Sequence, residues 1–522
     1  MTLMLTLGTA AFGAQKTLPS GKDTGSINVT NLKPGDTVTA YQFVKADYNE
    51  YGFTGYSAIN NYVKDPVAPT AQEVIDMASN AATMTVAAEK KVATGDTEVT
   101  LNGLPVGYYL VMVTSGSETV YSPMIAGIYY SKSATDNTLT NGAISADSDF
   151  EIKAQKCWAK SSTPKLEKTI VTPSSKNSKG DDIAIGGKIT FNLSATVPSY
   201  SKEYKKVTYK IYDIMSEGLD YVDGSMKCFI EKYENNRENI KVTPKVNGGI
   251  IEITFDSKFI LEHPGQKIQV EYQAKLNEKA GVNFDANINK AYLEYSNNPA
   301  SGSTAKTGED KVYVYTFGID SNLFGKSTEK WNEKTKELIK VEEGEYQWVE
   351  TEKESGIFTT TTALEGATFT LTNNKTKKSY TATSDKYGYL KFTGLDAGEY
   401  TLQETDAPDG FTLNDAKHTV VITAEYNQDG TLKSYTIKID DKATSTYTAT
   451  YDKGVIKTIT STKDSQGNIS ESAILKNSKM SFLPSTGGVG TTIFAIVGVV
   501  FVVAALGLHM ILRGKNKLEQ DR

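Results

Sequence analysis

The residue types that could do chemistry are a lysine, an aspartate and an asparagine, each set in a segment of alternating polar and apolar residues. Alternate residues of a β-strand share a face. The polar residue with the parity of its apolar neighbours is Lys168 in LEKTI, Asp213 in YKIYDIM and Asn289 in NINKAYLEY. Burial lowers the pKa of an amine and raises that of a carboxyl group, so a buried lysine can act as a neutral nucleophile beside a protonated acid. The pattern predicts a polar cluster inside one β-sandwich, although a bulge or a strand end would explain each residue taken alone.

A fourth inward-facing polar residue is predicted in GEYTLQETDAPDGF. Tyr400, Leu402 and Glu404 share one parity, so Glu404 is aimed at the core. A buried carboxylate is costly unless it is protonated, paired or hydrogen-bonded. The parity therefore predicts a buried carboxylate at Glu404; the alternative is a glutamate at a strand end that reaches solvent.

The composition indicates which elements position these residues. The chain of 522 residues contains 30 Tyr and 18 Phe, which favours half-buried strands. About 460 residues between the terminal segments suit roughly three domains. The two cysteines, Cys157 and Cys228, cannot brace three exported domains, and a net charge of −6 makes nucleic acid an unexpected partner. The expected fold is all-β, a tandem array of immunoglobulin-like sandwiches.

Composition breaks divide the chain. Small polar and proline-containing stretches at Ala159–Lys168 and Ser296–Asp310 predict linkers. The expected domains are residues 15–158, 162–298 and 311–480. The first contains one helical candidate, Thr70–Met84, and the third contains a long polar insertion, Ser327–Ala363, interpreted as a loop or hairpin.

Both ends indicate export. Residues 1–14 have the apolar and small residues of a secretory signal peptide. Residues 489–512 contain no Asp, Glu, Lys or Arg, which predicts a transmembrane helix, and residues 513–522 form a basic cytoplasmic tail. The intervening chain is therefore expected on the cell surface. Directly before the apolar span lies the motif LPSTGG, residues 483–488.

These motifs carry a family resemblance. YTLQETDAPDGF resembles the E-box of Gram-positive pilin domains, and LPSTGG resembles the sortase sorting signal. DIMSEGL and NKAYLEYSNNP are similar to the middle domain of sortase-assembled backbone pilins. The resemblance implies Cna-type β-sandwiches, no cofactor and no metal.

In that family a lysine and an asparagine form an intramolecular isopeptide bond beside an acid. For the middle domain the resemblance assigns Lys168 as nucleophile, Asn289 as electrophile and Asp213 as the acid. For the third, Cna B-type domain it assigns Glu404 as the acid and Asn477 as the electrophile. Lys326 is the expected nucleophile there, with Lys330 as the alternative.

The resemblance also implies processing at the C-terminal motif. A sortase would recognise Leu483, Pro484, Ser485, Thr486 and Gly487 and cleave between the last two. The acyl group would pass to peptidoglycan or to a lysine of another subunit, giving a head-to-tail covalent polymer. Lys160 is the expected acceptor, and Lys153 and Lys156 are the alternatives.

A structural backbone pilin that supports adhesion to host surfaces is favoured, with a wall-anchored monomeric adhesin or minor pilin as the alternative. An enzyme other than the self-cross-linking chain is not expected, because the three histidines are scattered and no hydrolase or metalloprotease motif is present. They are His263, His418 and His509.

Overall fold

The computed structural model describes residues 17–462 and 478–479, with short gaps in the first range. The gaps are residues 116–117, 133–138, 172, 174–176, 234–235, 320–328, 333–336, 341–346, 352–357, 363–364, 386–389 and 441–442. The predicted signal peptide, Lys326, Asn477, the sorting signal, the apolar span and the basic tail lie outside the described residues. Of the helices in the described part, none is long and apolar enough to cross a membrane.

The first domain consists of two sheets, a short pair of strands and one helix. One sheet has the order β10-β1-β5 and the other the order β3-β2-β6-β8-β9, with β4 also on β2. Buried aliphatic and aromatic residues form the core between the sheets. The strands are β1 (Thr24–Thr30), β2 (Thr37–Asn49), β3 (Gly52–Ala58), β4 (Val86–Lys91), β5 (Glu98–Pro105), β6 (Gly107–Thr114), β7 (Val120–Tyr121), β8 (Met124–Ser131), β9 (Glu151–Ala154), β10 (Cys157–Trp158) and β11 (Ser161–Ser162).

The predicted helix is present and shorter than expected. Helix α1 (Ala71–Ser79) begins after Thr70, whose side chain accepts from the Glu73 N–H, while Glu73 reaches back to the Thr70 N–H. This reciprocal capping satisfies two backbone donors that a helix start otherwise leaves unpaired. The helix ends at Asn80, and a single 3₁₀ turn (Ala81–Thr83) follows.

The middle domain is a sandwich of two large sheets. One has the order β12-β14-β21-β17-β18, with β16 on β21, and the other the order β13-β24-β22-β15-β20-β19, with β23 on β22. The strands are β12 (Leu166–Ile170), β13 (Gly180–Asp182), β14 (Lys188–Thr196), β15 (Tyr209–Met215), β16 (Leu219–Tyr221), β17 (Lys227–Tyr233), β18 (Asn236–Ile240), β19 (Lys245–Asn247), β20 (Ile250–Thr254), β21 (Lys267–Leu276), β22 (Asn287–Asn298), β23 (Ser303–Lys306) and β24 (Asp310–Tyr315); helix α2 spans Ser257–Glu262.

The predicted boundary between the second and third domains was wrong. Strand β24 was expected to open the third domain, but it pairs with β22 and β13 in the middle sheet. Val312 and Val314 are buried in the middle core, which explains the placement. The small polar stretch before β24 contains strand β23, which pairs with β22, instead of an interdomain linker.

The third domain is built on a seven-stranded antiparallel sheet. Its order is β31-β30-β33-β35-β36-β37-β38, and the small pair β25-β32 contributes to the same core. The described parts of the predicted insertion form two hairpins, β26-β27 and β28-β29. The strands are β25 (Phe317–Ile319), β26 (Glu329–Asn332), β27 (Glu337–Lys340), β28 (Gln347–Thr351), β29 (Phe358–Thr362), β30 (Thr368–Asn373), β31 (Ser379–Thr383), β32 (Phe392–Leu395), β33 (Gly398–Asp406), β34 (Phe411–Thr412), β35 (Lys417–Tyr426), β36 (Leu432–Ile439), β37 (Ala443–Asp452), β38 (Val455–Thr462) and β39 (Ser478–Lys479).

A buried carboxylate joins the middle and third domains. Asp182 accepts hydrogen bonds from the Tyr426 hydroxyl at 2.7 Å and from the Ala397 N–H. Close by, a Cβ built on Gly180 would lie 2.2 Å from the carbonyl oxygen of Gly430, so only glycine permits this backbone approach. Burial raises the pKa of Asp182 to about 6, although its two hydrogen bonds favour the ionised form.

The interface therefore depends on pH through Asp182, which faces Asp181 and Asp396 as well as Tyr426. Its folded-state pKa lies above the unfolded value, so this group costs stability at neutral pH and the cost falls as the pH drops through 6. Between about pH 7.5 and pH 5 we expect the free energy of unfolding of the wild type to rise by about 1 kcal/mol, because Asp182 takes up a proton in the folded state. Asp182→Asn should lack this rise. Chemical unfolding at the two pH values measures the rise. The exposed control Asp220→Asn should keep it, and a pH-independent difference between Asp182→Asn and wild type would contradict the prediction.

Candidate functional site

The three polar residues expected to face the middle core are all buried. Lys168, Asp213 and Asn289 each have 0% exposed surface. Their strands alternate as the sequence predicted: β15, for example, is buried at every second position, from Tyr209 to Met215. Their inward placement is therefore confirmed.

The two sheets bring these residues together from opposite sides of the core. Lys168 lies on β12, at one edge of its sheet, and pairs in register with Leu193 of β14. Asp213 and Asn289 lie on neighbouring strands of the facing sheet, β15 and β22, where Asn289 is opposite Met215. A covalent link between Lys168 and Asn289 would therefore connect the two sheets.

A tyrosine that the sequence analysis did not single out stands at the centre of the cluster. Tyr272 lies on β21 and is fully buried. Its hydroxyl donates to Asp213 Oδ1 at 2.6 Å, and it accepts from Lys168 Nζ at 3.1 Å and from Asn289 Nδ2 at 2.7 Å. The available signal was its parity with Ile268, Val270 and Ala274, but a buried tyrosine is common in a core.

Asp213 contacts the amine directly and the carboxamide only through Tyr272. Lys168 Nζ donates to Asp213 Oδ2 in a short buried ion pair. Within the described residues, no hydrogen bond joins Asp213 to Asn289. Asn289 Oδ1 is buried without a hydrogen-bond partner.

The surroundings of Lys168 disfavour a charged amine. Burial lowers its pKa, and the neighbouring Asp213 carboxylate opposes this shift. The ring centroids of Phe191 and Tyr272 lie 4.9 Å and 5.2 Å from Nζ. Burial also raises the pKa of Tyr272 well above its usual value, with Asp213 adding to the shift, so the phenol stays protonated. The site thus holds an amine with depressed basicity and a carboxamide on the same buried hydroxyl.

The backbone around Lys168 is fixed by a second ion pair. Asp310 at the start of β24 accepts from the Lys168 N–H at 2.7 Å and from Lys179 Nζ at 2.6 Å. Lys179 Nζ also donates to the Lys168 carbonyl oxygen. The strand that was assigned to the wrong domain therefore helps to position the predicted nucleophile.

In the third domain Glu404 is buried as predicted. It is 2% exposed and continues the inward row of Tyr400 and Leu402 on β33. Its Oε2 accepts from the Asn414 N–H at 2.7 Å. Strand β39, which follows Asn477 in sequence, pairs with β34 of the E-box-like segment. The structure gives the strand that contains Lys330 but not the contacts of its side chain.

The three candidate acceptor lysines lie where the first domain meets the middle domain. Lys160 and Lys156 are exposed, whereas Lys153 is half-buried and lies 3.3 Å from Glu151. The Lys160 backbone is held between β10 and β11, and its carbonyl oxygen accepts from the Ser122 N–H at 3.0 Å. The backbone around Lys160 is thus held by hydrogen bonds to the first domain, whereas its composition predicted a linker.

Three family models match successive parts of the chain. Residues 22–161 match the T6 antigen Ig-like domain, residues 347–436 the SpaA prealbumin-like fold domain and residues 476–517 the LPXTG cell wall anchor motif. A curated relative, the trypsin-resistant surface T6 protein of Streptococcus pyogenes serotype M6, is 26% identical, covering 95% of this chain and 96% of its own length.

One solved structure shares the fold of this chain, and a second is a more distant match. The T6 backbone pilin of serotype M6 Streptococcus pyogenes superposes with a TM-score of 0.58 at 21% identity, covering 88% of this chain and all of that one. The full-length major pilin SpaD from Corynebacterium diphtheriae gives a TM-score of 0.45 at 17% identity, over 76% of this chain and 90% of that one.

The domain models and the anchor motif define a cell-wall-anchored surface protein built from immunoglobulin-like and prealbumin-like β domains. More narrowly, the chain is similar over nearly its whole length to a T6-type surface protein of Streptococcus pyogenes, and it shares the fold of the T6 backbone pilin.

Proposed function

We propose that this chain is a load-bearing pilus subunit whose middle domain is closed by an isopeptide bond between Lys168 and Asn289. The observation that carries the proposal is the buried cluster in which Lys168, Asp213 and Asn289 share Tyr272. A buried lysine paired only for stability would need no carboxamide at the same hydroxyl. The role is structural, and the chemistry is a single self-cross-linking event.

The bond forms by nucleophilic attack of the Lys168 amine on Cγ of Asn289, with loss of ammonia. The low-dielectric core favours the neutral amine, and the fixed strands supply proximity. Asp213 is the promoting acid: it orients Nζ and takes the proton whose loss leaves the Lys168 amine neutral. Its contact with the carboxamide runs through Tyr272.

The bond would join the sheets near one edge and close a loop of about 120 residues. The chain-entropy model for cross-links gives about 5 kcal/mol for such a loop. Asn289 lies on β22, and β23 and β24 follow it, so the bond would not reach the last strand of the domain. The last strand is tied in by Asp310 instead, through the Lys168 N–H and Lys179.

A second bond is proposed for the third domain, with Glu404 as its acid and Lys326 and Asn477 as partners; Lys330 is the alternative nucleophile. The buried Glu404 and the pairing of β39 with β34 support this assignment. The two cross-links would replace the bracing that disulfides cannot give, because both cysteines are free and buried.

Two bonds predict two ammonia losses. The intact mass of the recombinant ectodomain should fall short of its sequence mass by two ammonia molecules. Asp213→Ala and Glu404→Ala should each restore one ammonia and lower the unfolding temperature of their own domain. The exposed control Asp220→Ala should keep both losses. An ectodomain at its full sequence mass would rule out both bonds.

The anchor motif supports processing by a sortase, with cleavage between Thr486 and Gly487 and transfer of the Thr486 acyl group to an amine. The hydrophobic segment 489–512 would hold the precursor in the membrane until then. The amine is on peptidoglycan for the wall-anchored end and on Lys160 for the next subunit. Lys160 is exposed and its backbone is fixed beside the middle domain, so an incoming C-terminus meets a rigid acceptor. This head-to-tail contact does not close on itself and therefore gives a fibre.

Polymerisation through Lys160 predicts a specific defect. In cells that carry the cognate sortase, Lys160→Ala should abolish the high-mass ladder of wall extracts and leave wall-linked monomer. Lys153→Ala and Lys156→Ala serve as matched controls and should retain the ladder. A full ladder in the triple alanine variant would place the acceptor elsewhere, and wild-type protein found only as monomer would favour the adhesin alternative.

A further inference from the structure

The Tyr272 hydroxyl contacts both nitrogen atoms that would react. It accepts from Lys168 Nζ at 3.1 Å and from Asn289 Nδ2 at 2.7 Å, and it donates its own proton to Asp213 Oδ1 at 2.6 Å. Nζ is the nitrogen that would lose a proton, and Nδ2 is the nitrogen that would leave. Because Asp213 does not bind the carboxamide directly, Tyr272 is the polar group that connects the two halves of the reaction.

We propose that Tyr272 is a catalytic residue of cross-linking, which passes a proton from Lys168 Nζ to Asn289 Nδ2. The inference rests on the proposed Lys168–Asn289 bond and adds a residue to its chemistry. The residues of the cluster are buried, and the Tyr272 hydroxyl is hydrogen-bonded to both nitrogen atoms, so it is placed to carry the proton between them.

The step balances without another reactant. The neutral amine of Lys168 attacks Cγ of Asn289, and the Nζ–Cγ bond forms. Tyr272 gives its hydroxyl proton to Nδ2 and takes one proton from Nζ, so the phenol is regenerated. The Cγ–Nδ2 bond then breaks and ammonia leaves, while Asp213 keeps the proton that it took from the Lys168 ammonium before the attack.

The environment of the phenol requires the two proton transfers, from Nζ to the phenol and from the phenol to Nδ2, to be coupled. Burial and the nearby Asp213 raise the pKa of Tyr272, so a free phenolate is unfavourable. The hydroxyl therefore has to receive a proton as it gives one. Its three hydrogen bonds place the hydroxyl on both nitrogen atoms. For the exchange it turns its proton from Asp213 Oδ1 to Nδ2, once Nδ2 has a free lone pair in the tetrahedral intermediate.

Tyr272→Phe removes the hydroxyl and keeps the ring that packs against Phe191 at 5.6 Å between centroids. The full ectodomain is made by cell-free synthesis, samples are quenched in acidic denaturant over time, and the loss of ammonia from the middle domain is followed by mass. General acid–base groups contribute about 10²- to 10⁴-fold to rates, so we expect Tyr272→Phe to slow bond formation by on the order of 10²-fold.

The same sandwich offers a matched control. Tyr209 is also fully buried, and its hydroxyl has no hydrogen-bond partner, so Tyr209→Phe should form the bond at the wild-type rate. To separate chemistry from packing, Tyr272→Phe is also made in an Asn289→Ala background, where no bond can form. The unfolding temperature there should stay within a few degrees of Asn289→Ala alone.

The outcomes are distinct. A slow Tyr272→Phe variant that remains folded in the Asn289→Ala background supports the relay. Bond formation at the wild-type rate in Tyr272→Phe overturns it, and so does a slow-down that Tyr209→Phe shares or that accompanies unfolding. Absence of ammonia loss from the wild-type middle domain would instead remove the proposed bond itself.

Discussion

The middle domain depends on keeping one amine out of water. Lys168 is enclosed between two sheets, against two aromatic rings, with Asp213 and Tyr272 as its side-chain partners. Burying a charge is costly unless it is closely paired, and an ion pair in a core rarely repays its desolvation. In this domain the buried pair lies beside the Asn289 carboxamide, which contacts the same Tyr272 hydroxyl. Conversion to an amide would remove the buried charge and make the contact between the sheets covalent.

Much of this arrangement could be predicted from strand parity. In β12, β15, β22 and β33 the period-two pattern is strong, because apolar residues flank each polar one on the same face, and the buried positions follow it. The pattern fixes which way a side chain points. It does not say which strands are neighbours. Parity therefore predicted that Lys168, Asp213 and Asn289 face one core, whereas their roles as reacting partners came from the family resemblance.

What could not be predicted depends on tertiary contacts. Tyr272 looks like any core tyrosine until its hydroxyl is seen among three polar partners. Strand β24 follows a polar stretch that resembles a linker, yet its valines fill the middle core and its Asp310 holds the backbone of Lys168. Similarly, Asp182 lies far from Tyr426 in sequence, and only the docking of the third domain brings them together.

The central claim is that a covalent bond joins Lys168 to Asn289, and peptide mapping tests it most directly. A protease digest of the ectodomain, sequenced by tandem mass spectrometry, should contain a branched peptide in which the segments around Lys168 and Asn289 are linked with the loss of one ammonia. Recovery of both segments only as separate linear peptides, with an unmodified lysine and asparagine, would contradict the account.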